Sequence, residues 1–90
     1  MIIVLLSYTG DVTPHRPAHV DWLKVALAQG RLVTAGRQPE TGGVLIARGE
    51  RAEIEAWAAT DPYLLEGVAT ASFVEFTPNL AAPGLESLIP

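Results

Sequence analysis

The stretch RPAHVDWLKVALAQGRLVTAG, residues 16–36, predicts a helix followed directly by a strand. Pro17 suits the first turn of a helix because its missing N–H would be unpaired there, and Gly30 suits the left-handed position that ends one. His19 stands at the start of the apolar face that helical spacing creates. The other residues of that face are Trp22, Leu23, Ala26 and Leu27. The titratable ring of His19 is therefore the first residue of an apolar face that is predicted to point into the protein.

Strand and helix signals alternate along the chain in the order β-α-β-β-α-β. Apolar, β-branched runs predict strands at residues 2–8, 32–35, 44–47 and 68–76. Helical spacing predicts a second helix at residues 50–60, and turn residues predict loops at 9–15 and 36–43. The inward residues of the second helix are expected to be Ile54, Trp57 and Ala58. This order predicts an α+β, ferredoxin-like fold with two helices on one face of an antiparallel sheet.

The chain has 90 residues, a length that fits one domain. We expect a compact domain over residues 1–78. Prolines and a glycine disfavour regular structure after it, so residues 79–90 are predicted to form an extended tail, with at most a terminal turn.

Apolar residues occupy both faces of two predicted strands. Ile3 and Leu5 alternate with equally apolar neighbours, as do Val44 and Ile46, and 49% of all residues are hydrophobic. Two helices cover only one face of a sheet, and a bare apolar face of several hundred Å² is larger than monomers usually tolerate. We therefore expect a homodimer in which the second sheet faces meet.

Several classes of function are disfavoured by composition. The net charge is −4 and the six Lys and Arg residues are scattered, so nucleic acid is not an expected partner. The chain has no cysteine, which excludes disulfides and thiolate metal sites. No segment approaches the roughly 20 apolar residues needed to cross a bilayer, and the opening MIIVLLSYTG lacks the features of a signal peptide. A cytoplasmic protein is the expectation.

Asp61 is a candidate partner for the inward-facing His19. A carboxylate that accepts from one ring N–H fixes the tautomer and raises the basicity of the other nitrogen, which then serves as a general acid–base. Another interpretation is equally physical: Asp61 precedes Pro62 and caps a short helix, for a gain of about 1 kcal/mol, while His19 is a satisfied core residue. His15 is expected in a loop, where Pro17 separates it from His19, so we expect no metal site and no cofactor.

Four further residues are candidates for holding a small-molecule ligand. A guanidinium forks onto a carboxylate, so Arg16 and Arg37 are candidates for binding an anionic substrate. For Arg37 the alternative is a solvated surface side chain with no ligand. Tyr8 and Tyr63 lie at predicted element boundaries, where a phenol can reach the edge of a pocket and polarise an oxygen.

Three segments together resemble the YCII-related family of small bacterial proteins. They are RPAHVDWL from residue 16, GRLVTAG from residue 30 and AWAATDPYLLEGV from residue 56, in the family's order. The resemblance implies a dimeric α+β barrel with a pocket beside the paired sheets. It also implies that His19 and Asp61 form the family's proposed active-site pair.

The resemblance leaves the reaction open. Some members are associated with dehalogenating or lyase-type steps on small ring compounds, and the superfamily includes muconolactone isomerases and cofactor-free monooxygenases. Two features depart from the family pattern: Arg37 stands where members often have proline, and the tail extends beyond the core. Three hypotheses follow: a cofactor-free lyase or isomerase, a ligand-binding or sensor module that uses the same cleft, and a structural dimer.

Overall fold

The computed structural model describes residues 1–90 and contains four strands and three α-helices. The strands are β1 (Ile2–Tyr8), β2 (Leu32–Gln38), β3 (Gly42–Ala47) and β4 (Ala69–Glu75). The helices are α1 (Arg16–Ala28), α2 (Arg51–Ala58) and α3 (Pro62–Leu65). Single turns of 3₁₀ helix occur at Thr13–His15 and Glu86–Leu88. No helix is long and apolar enough to cross a membrane.

The four strands form one antiparallel sheet in the order β2-β3-β1-β4. The helices pack on one face of this sheet, so the predicted ferredoxin-like α+β fold is confirmed. β1 and β3 lie in the centre of the sheet, and their residues are apolar on both faces although the helices cover only one.

The main hydrophobic core lies between the sheet and the helices. Ile2, Val4 and Leu6 of β1 point into it and are at most 1% exposed. Ile54, Trp57 and Ala58 of α2 cover them, as predicted. On the opposite face Ile3, Leu5, Val44 and Ile46 are only half-buried. Val74 of β4 shares that face and is 47% exposed, so the second sheet face is apolar and uncovered in the single chain.

The predicted loop at residues 36–43 is wrong in extent. β2 continues to Gln38 and β3 begins at Gly42, so the connection is only residues 39–41. Backbone pairing persists through Gly36–Val44 and Gln38–Gly42, because strand pairing tolerates glycines that the sequence pattern assigns to turns. A Cβ at Gly42 would lie 1.7 Å from the carbonyl oxygen of Leu6, so glycine is required for close approach of the strands.

Two smaller predictions are also corrected. Leu27 was expected on the inward face of α1 but is 46% exposed. At about 100° per residue, Leu27 lies roughly 80° around the helix from His19, at the edge of the stripe. His15 lies in a 3₁₀ turn that leads into α1 rather than in an open loop.

Candidate active site

His19 lies on the inward face of α1, in the first turn and a half of the helix. Pro17 occupies the first turn, as predicted, and Arg16 begins the helix. His19 is 8% exposed, so its ring belongs to the interior although it is polar. A buried imidazole requires a hydrogen-bond partner, and the structure supplies one.

Asp61 stands between α2 and α3 and is fully buried. It is the N-cap of α3: its Oδ1 accepts a hydrogen bond from the backbone N–H of Tyr63 at 2.9 Å. Pro62 follows in the first turn, where no N–H is needed. The capping interpretation from the sequence is therefore correct for one of the bonds that Asp61 makes.

The same oxygen of Asp61 also contacts the histidine. His19 Nδ1 lies 2.8 Å from Asp61 Oδ1. A carboxylate oxygen accepts hydrogen bonds, so the proton belongs on Nδ1 and the lone pair of the neutral ring is on Nε2. Nε2 is not among the fully buried atoms that lack a partner. The contact thus directs the basic nitrogen of His19 away from Asp61.

Asp61 Oδ2 is the one buried side-chain polar atom without a hydrogen-bond partner. Leaving a buried acceptor unpaired costs about 1–3 kcal/mol. A carboxylate chosen only for capping has no reason to accept that cost, because serine or threonine caps a helix with one oxygen.

A second contact holds α1 against the end of α2. Trp22 Nε1 donates to Thr60 Oγ1 at 3.0 Å, and Thr60 Oγ1 donates to the Trp57 carbonyl at 2.6 Å. The indole rings of Trp22 and Trp57 stack with centroids 4.3 Å apart. Trp22 lies one turn from His19, and Thr60 precedes Asp61. These contacts therefore fix the register that brings the histidine and the aspartate together.

Tyr63 packs flat against the imidazole. The centroids of the Tyr63 and His19 rings are 3.9 Å apart and their planes differ by 8°. The rings of Tyr8 and Tyr63 are nearly perpendicular, with centroids 5.9 Å apart. Tyr63 is only 1% exposed, so the stack fixes the plane in which His19 Nε2 points.

A cavity of about 220 Å³ opens beside these rings, between α1 and the sheet. All four predicted ligand-binding residues line it, together with His19. The remaining walls are mostly apolar and are formed by Leu6, Val20, Leu23, Ala35, Gly36, Gly43 and Leu45. Asp61 does not line the cavity, but it contacts His19, which does.

The charged groups of the cavity are cationic. Arg16 is half-buried and Arg37 is exposed at the rim. Neither forms an ion pair, since the two pairs of the chain are His19–Asp61 and Arg51–Glu55. The hydroxyl of Tyr63, followed by that of Tyr8, raises the pKa of the Arg16 guanidinium, so both phenols lie close to it. Two unpaired arginines in a chain of net charge −4 create a local site for an anion.

Ala35 and Gly43 were not identified from the sequence as site residues. They lie in β2 and β3 on the face that α1 covers, next to Leu6 and Leu45. Their small size leaves the space that the cavity fills. Extending the second strand through Arg37 would have placed Ala35 and Arg37 on one face by their spacing of two. No group of three or more His, Asp or Glu side chains with the geometry of metal ligands forms in the chain.

The fold has a counterpart among solved structures. The chain is similar to 5-chloro-2-hydroxyhydroquinone dehydrochlorinase (TftG) from Burkholderia phenoliruptrix AC1100, solved as a complex with 2,5-dihydroxybenzoquinone. The TM-score is 0.67, the sequence identity is 14%, and the match covers 88% of this chain and 96% of that chain. At this identity the likeness shows a shared fold.

Closer sequence relatives are two proteins named Protein YciI, from Escherichia coli O6:H1 and Shigella flexneri. Each is 40% identical to this chain over 65 residues. Each match covers 59% of this chain and 66% of the relative, so the chain spans just under two thirds of the relatives' length. The model of the YCII-related domain matches residues 1–77. The resemblance drawn from the three motifs is thereby confirmed, and the chain belongs to the YCII-related family.

Proposed function

We propose that this protein is a cofactor-free lyase or isomerase in which His19 transfers a proton and Asp61 orients it. The observation that carries the proposal is the 2.8 Å contact between His19 Nδ1 and Asp61 Oδ1, in a ring that also lines a cavity. The contact leaves Nε2 as the nitrogen available to a ligand. Acid–base catalysis by a positioned group typically contributes about 10²–10⁴-fold.

The proposed step begins at a carbon next to a carbonyl group. His19 Nε2 takes a proton from that carbon, and the electron pair of the broken C–H bond moves onto the carbonyl oxygen to form an enolate. In an isomerisation the imidazolium returns the proton to another carbon of the conjugated anion. In an elimination the electron pair expels a leaving group from the neighbouring carbon, and the imidazolium loses its proton to that group or to water.

The proposed ligand is a small anionic ring compound held by Arg16, Arg37, Tyr8 and Tyr63. An apolar cavity of about 150 Å³ holds one benzene ring. The cavity of about 220 Å³ therefore suits a ring with a few substituents. The ring named in the dehydrochlorinase complex, 2,5-dihydroxybenzoquinone, is of this size and is acidic, which makes it a suitable first probe.

Hydrogen exchange tests the proposed reaction without knowledge of the natural substrate. 2,5-Dihydroxybenzoquinone and a cyclic β-keto acid, 2-oxocyclohexane-1-carboxylate, are incubated in D₂O, and the loss of their C–H signals is followed by proton NMR. The parent protein should accelerate exchange of at least one compound by roughly 100-fold or more over His19→Ala. Asp61→Asn should fall between the two. Equal exchange by the parent and a folded His19→Ala variant would contradict the proposal.

A binding or sensor module is the second candidate function. The cavity favours it, because apolar walls and two arginines can hold a small anion whether or not His19 transfers a proton. The same exchange experiment separates the candidates. Saturable binding of 2,5-dihydroxybenzoquinone with no exchange in either compound supports the binding module and rules against the enzyme.

We also propose that the protein is a homodimer in which the uncovered sheet faces meet. Ile3, Leu5 and Ile46 supply an apolar surface in the middle of the sheet, and a two-fold axis pairs such a surface with itself. Leu5→Asp should convert the dimer to a monomer in sedimentation velocity, because it buries an unpaired charge at the interface. Leu65→Asp, at a residue 69% exposed on α3, is the matched control and should leave the dimer intact. A parent protein that sediments as a monomer at millimolar concentration would end this proposal.

A further inference from the structure

We propose that Arg16, Tyr8 and Tyr63 form an oxyanion site beside His19, for a planar ring ligand whose oxygen becomes negatively charged when its proton is removed. This inference rests on the proposed proton transfer at His19 and assigns separate roles within the cavity. His19 removes the proton, and Arg16, Tyr8 and Tyr63 stabilise the negative charge. Arg37 takes part in neither role.

The three side chains come from different elements and line the same cavity. Arg16 begins α1, Tyr8 ends β1 and Tyr63 lies in α3. The Tyr8 and Tyr63 rings meet edge to face at 5.9 Å, and both hydroxyls act on Arg16 by raising its pKa. No carboxylate pairs with Arg16. A cluster of donors with no acidic partner is suited to an anionic oxygen from outside the chain.

The donor chemistry explains why tyrosines accompany the arginine. A guanidinium has N–H donors and no acceptor, so a hydroxyl beside it can only accept from it and keeps its own proton to donate. A hydroxyl that accepts from a cation is polarised and becomes a stronger donor to an anion. Donors aimed at the atom where charge develops are commonly the largest single contribution to catalysis.

Tyr63 also links this cluster to the base. Its ring lies parallel to His19 at 3.9 Å, and its backbone N–H is held by the carboxylate that holds His19. The hydroxyl of Tyr63 and Nε2 of His19 are therefore fixed relative to each other. A ligand that touches both must carry its acidic hydrogen and its charge-accepting oxygen on one short conjugated path.

These constraints define the substrate class as a ring with an enolisable carbonyl or an acidic ring hydroxyl. The cavity's floor supports a planar ligand, because Ala35 and Gly43 project little from the sheet. Arg37 differs from the cluster in being exposed at the rim, where it attracts anions of any shape. Arg37→Met should therefore weaken the binding of a saturated anion, such as cyclohexanecarboxylate, and of a planar phenolate by a similar factor.

Ionisation of 4-nitrophenol tests the oxyanion site directly, since its phenol and phenolate absorb at different wavelengths. With excess parent protein, the midpoint of its ionisation should move to lower pH, because the site favours the phenolate. Tyr63→Phe keeps the stack on His19 and loses the donor. It should bind the phenolate roughly 10- to 100-fold more weakly and return the midpoint toward that of the free probe. Tyr8→Phe and Arg16→Met should also weaken phenolate binding and return the midpoint toward that of the free probe. If one of the three variants does not fold, the other two still test the inference.

Arg48→Met is the matched control for the loss of one positive charge. Arg48 is exposed and follows the end of β3 that lies away from Gly42, so the bound midpoint should equal that of the parent. A probe that does not bind at millimolar concentration, or that binds with an unchanged midpoint, overturns the inference. The inference is also overturned if all three site variants shift the ionisation midpoint as far as the parent protein does.

Failure of the proposed reaction gives a different result. A midpoint shift that depends on Tyr63 and Arg16, in a protein that exchanges no C–H hydrogen, leaves the anion site intact and removes only the proton transfer. Exchange that depends on His19, with no midpoint shift, removes only the oxyanion site.

Discussion

The face of the sheet that the helices cover has two halves of opposite character. Near Ile2 and Ala47 it is filled by Ile54, Trp57 and Ala58, with almost no exposed area. Near Leu6 and Gly43 the small residues of β2 and β3 leave a cavity. The buried polar side chains of the chain, His19 and Asp61, both belong to this second half.

The two halves contribute differently to the free energy of unfolding. A filled half stabilises the fold through the burial of apolar area, at about 25 cal/mol per Å². The hollow half forgoes such burial and includes an unpaired carboxylate oxygen, Asp61 Oδ2. Substitutions in the filled half should therefore lower mainly the free energy of unfolding. Substitutions in the hollow half should lower mainly the affinity for a ligand.

The largest loss of stability is expected from Ile54→Ala in the filled half. Ile54 is fully buried, and truncating a buried isoleucine to alanine typically costs about 2–5 kcal/mol. Urea unfolding followed by tryptophan fluorescence measures the loss. Binding of 4-nitrophenol to the fraction that stays folded should be unchanged. A cost below about 1 kcal/mol would show that this half is not the main source of stability.

A smaller loss is expected from Asp61→Ala in the hollow half. The change removes the acceptor shared by His19 Nδ1 and the Tyr63 N–H, but it also removes the unpaired buried Oδ2, so we expect a net loss of about 2 kcal/mol. Asp61→Asn keeps an acceptor for the cap and should lose roughly half as much. Asp61→Ala should reduce hydrogen exchange to the level of His19→Ala, and Asp61→Asn should retain part of it, in proteins that still fold. An Asp61→Ala protein as stable as the parent would contradict the role of this carboxylate in the fold.

Ala35→Leu should barely change stability and should abolish binding. The added side chain enters the cavity beside Leu6 and Leu45, so it buries apolar area without displacing packed atoms. The expected change in unfolding free energy is within about 1 kcal/mol, while affinity for 4-nitrophenol falls at least tenfold. Ala52→Leu makes the same change at an exposed position of α2 that does not line the cavity, and it is the matched control. Unimpaired binding by Ala35→Leu would mean that ligands use a different surface.

The smallest effect is expected from deletion of residues 79–90. Leu80 in this segment is 88% exposed and the family match ends at residue 77, so we predict that the segment lies outside the folded domain. Leu88 is half-buried, so the loss should stay below about 1 kcal/mol, as for most surface changes. Thermal unfolding by circular dichroism gives the comparison. A deletion variant that does not fold would place the tail within the domain.

Sequence patterns predicted the structure best at helix ends, where a proline, a glycine or an aspartate has a specific local role. The helix start at Pro17, the left-handed Gly30 and the capping Asp61 were all predicted from local chemistry and are present. The hairpin was predicted poorly, because glycines that pair in β2 and β3 have the composition of a turn. Tertiary contacts with Leu6 decide their conformation, and no local pattern contains them.

The candidate site was predictable only where local patterns or family motifs contain it. Helical spacing placed His19 inward, and the family motifs paired it with Asp61. The stack of Tyr63 on His19 and the space left by Ala35 depend on how α1, α3 and β2 pack in three dimensions. Neither leaves a periodic signal in the chain.

The tautomer of His19 tests the central claim most directly. Long-range proton–nitrogen NMR correlations of the two imidazole rings distinguish a proton on Nδ1 from one on Nε2, at a pH where both rings are neutral. The contact with Asp61 Oδ1 predicts that His19 carries its proton on Nδ1, and that Asp61→Ala removes this preference. His15, partly exposed and free of Asp61, is the reference in the same spectrum. A His19 proton on Nε2 in the parent protein would contradict the claim, because the nitrogen facing the cavity would then be a donor and not a base.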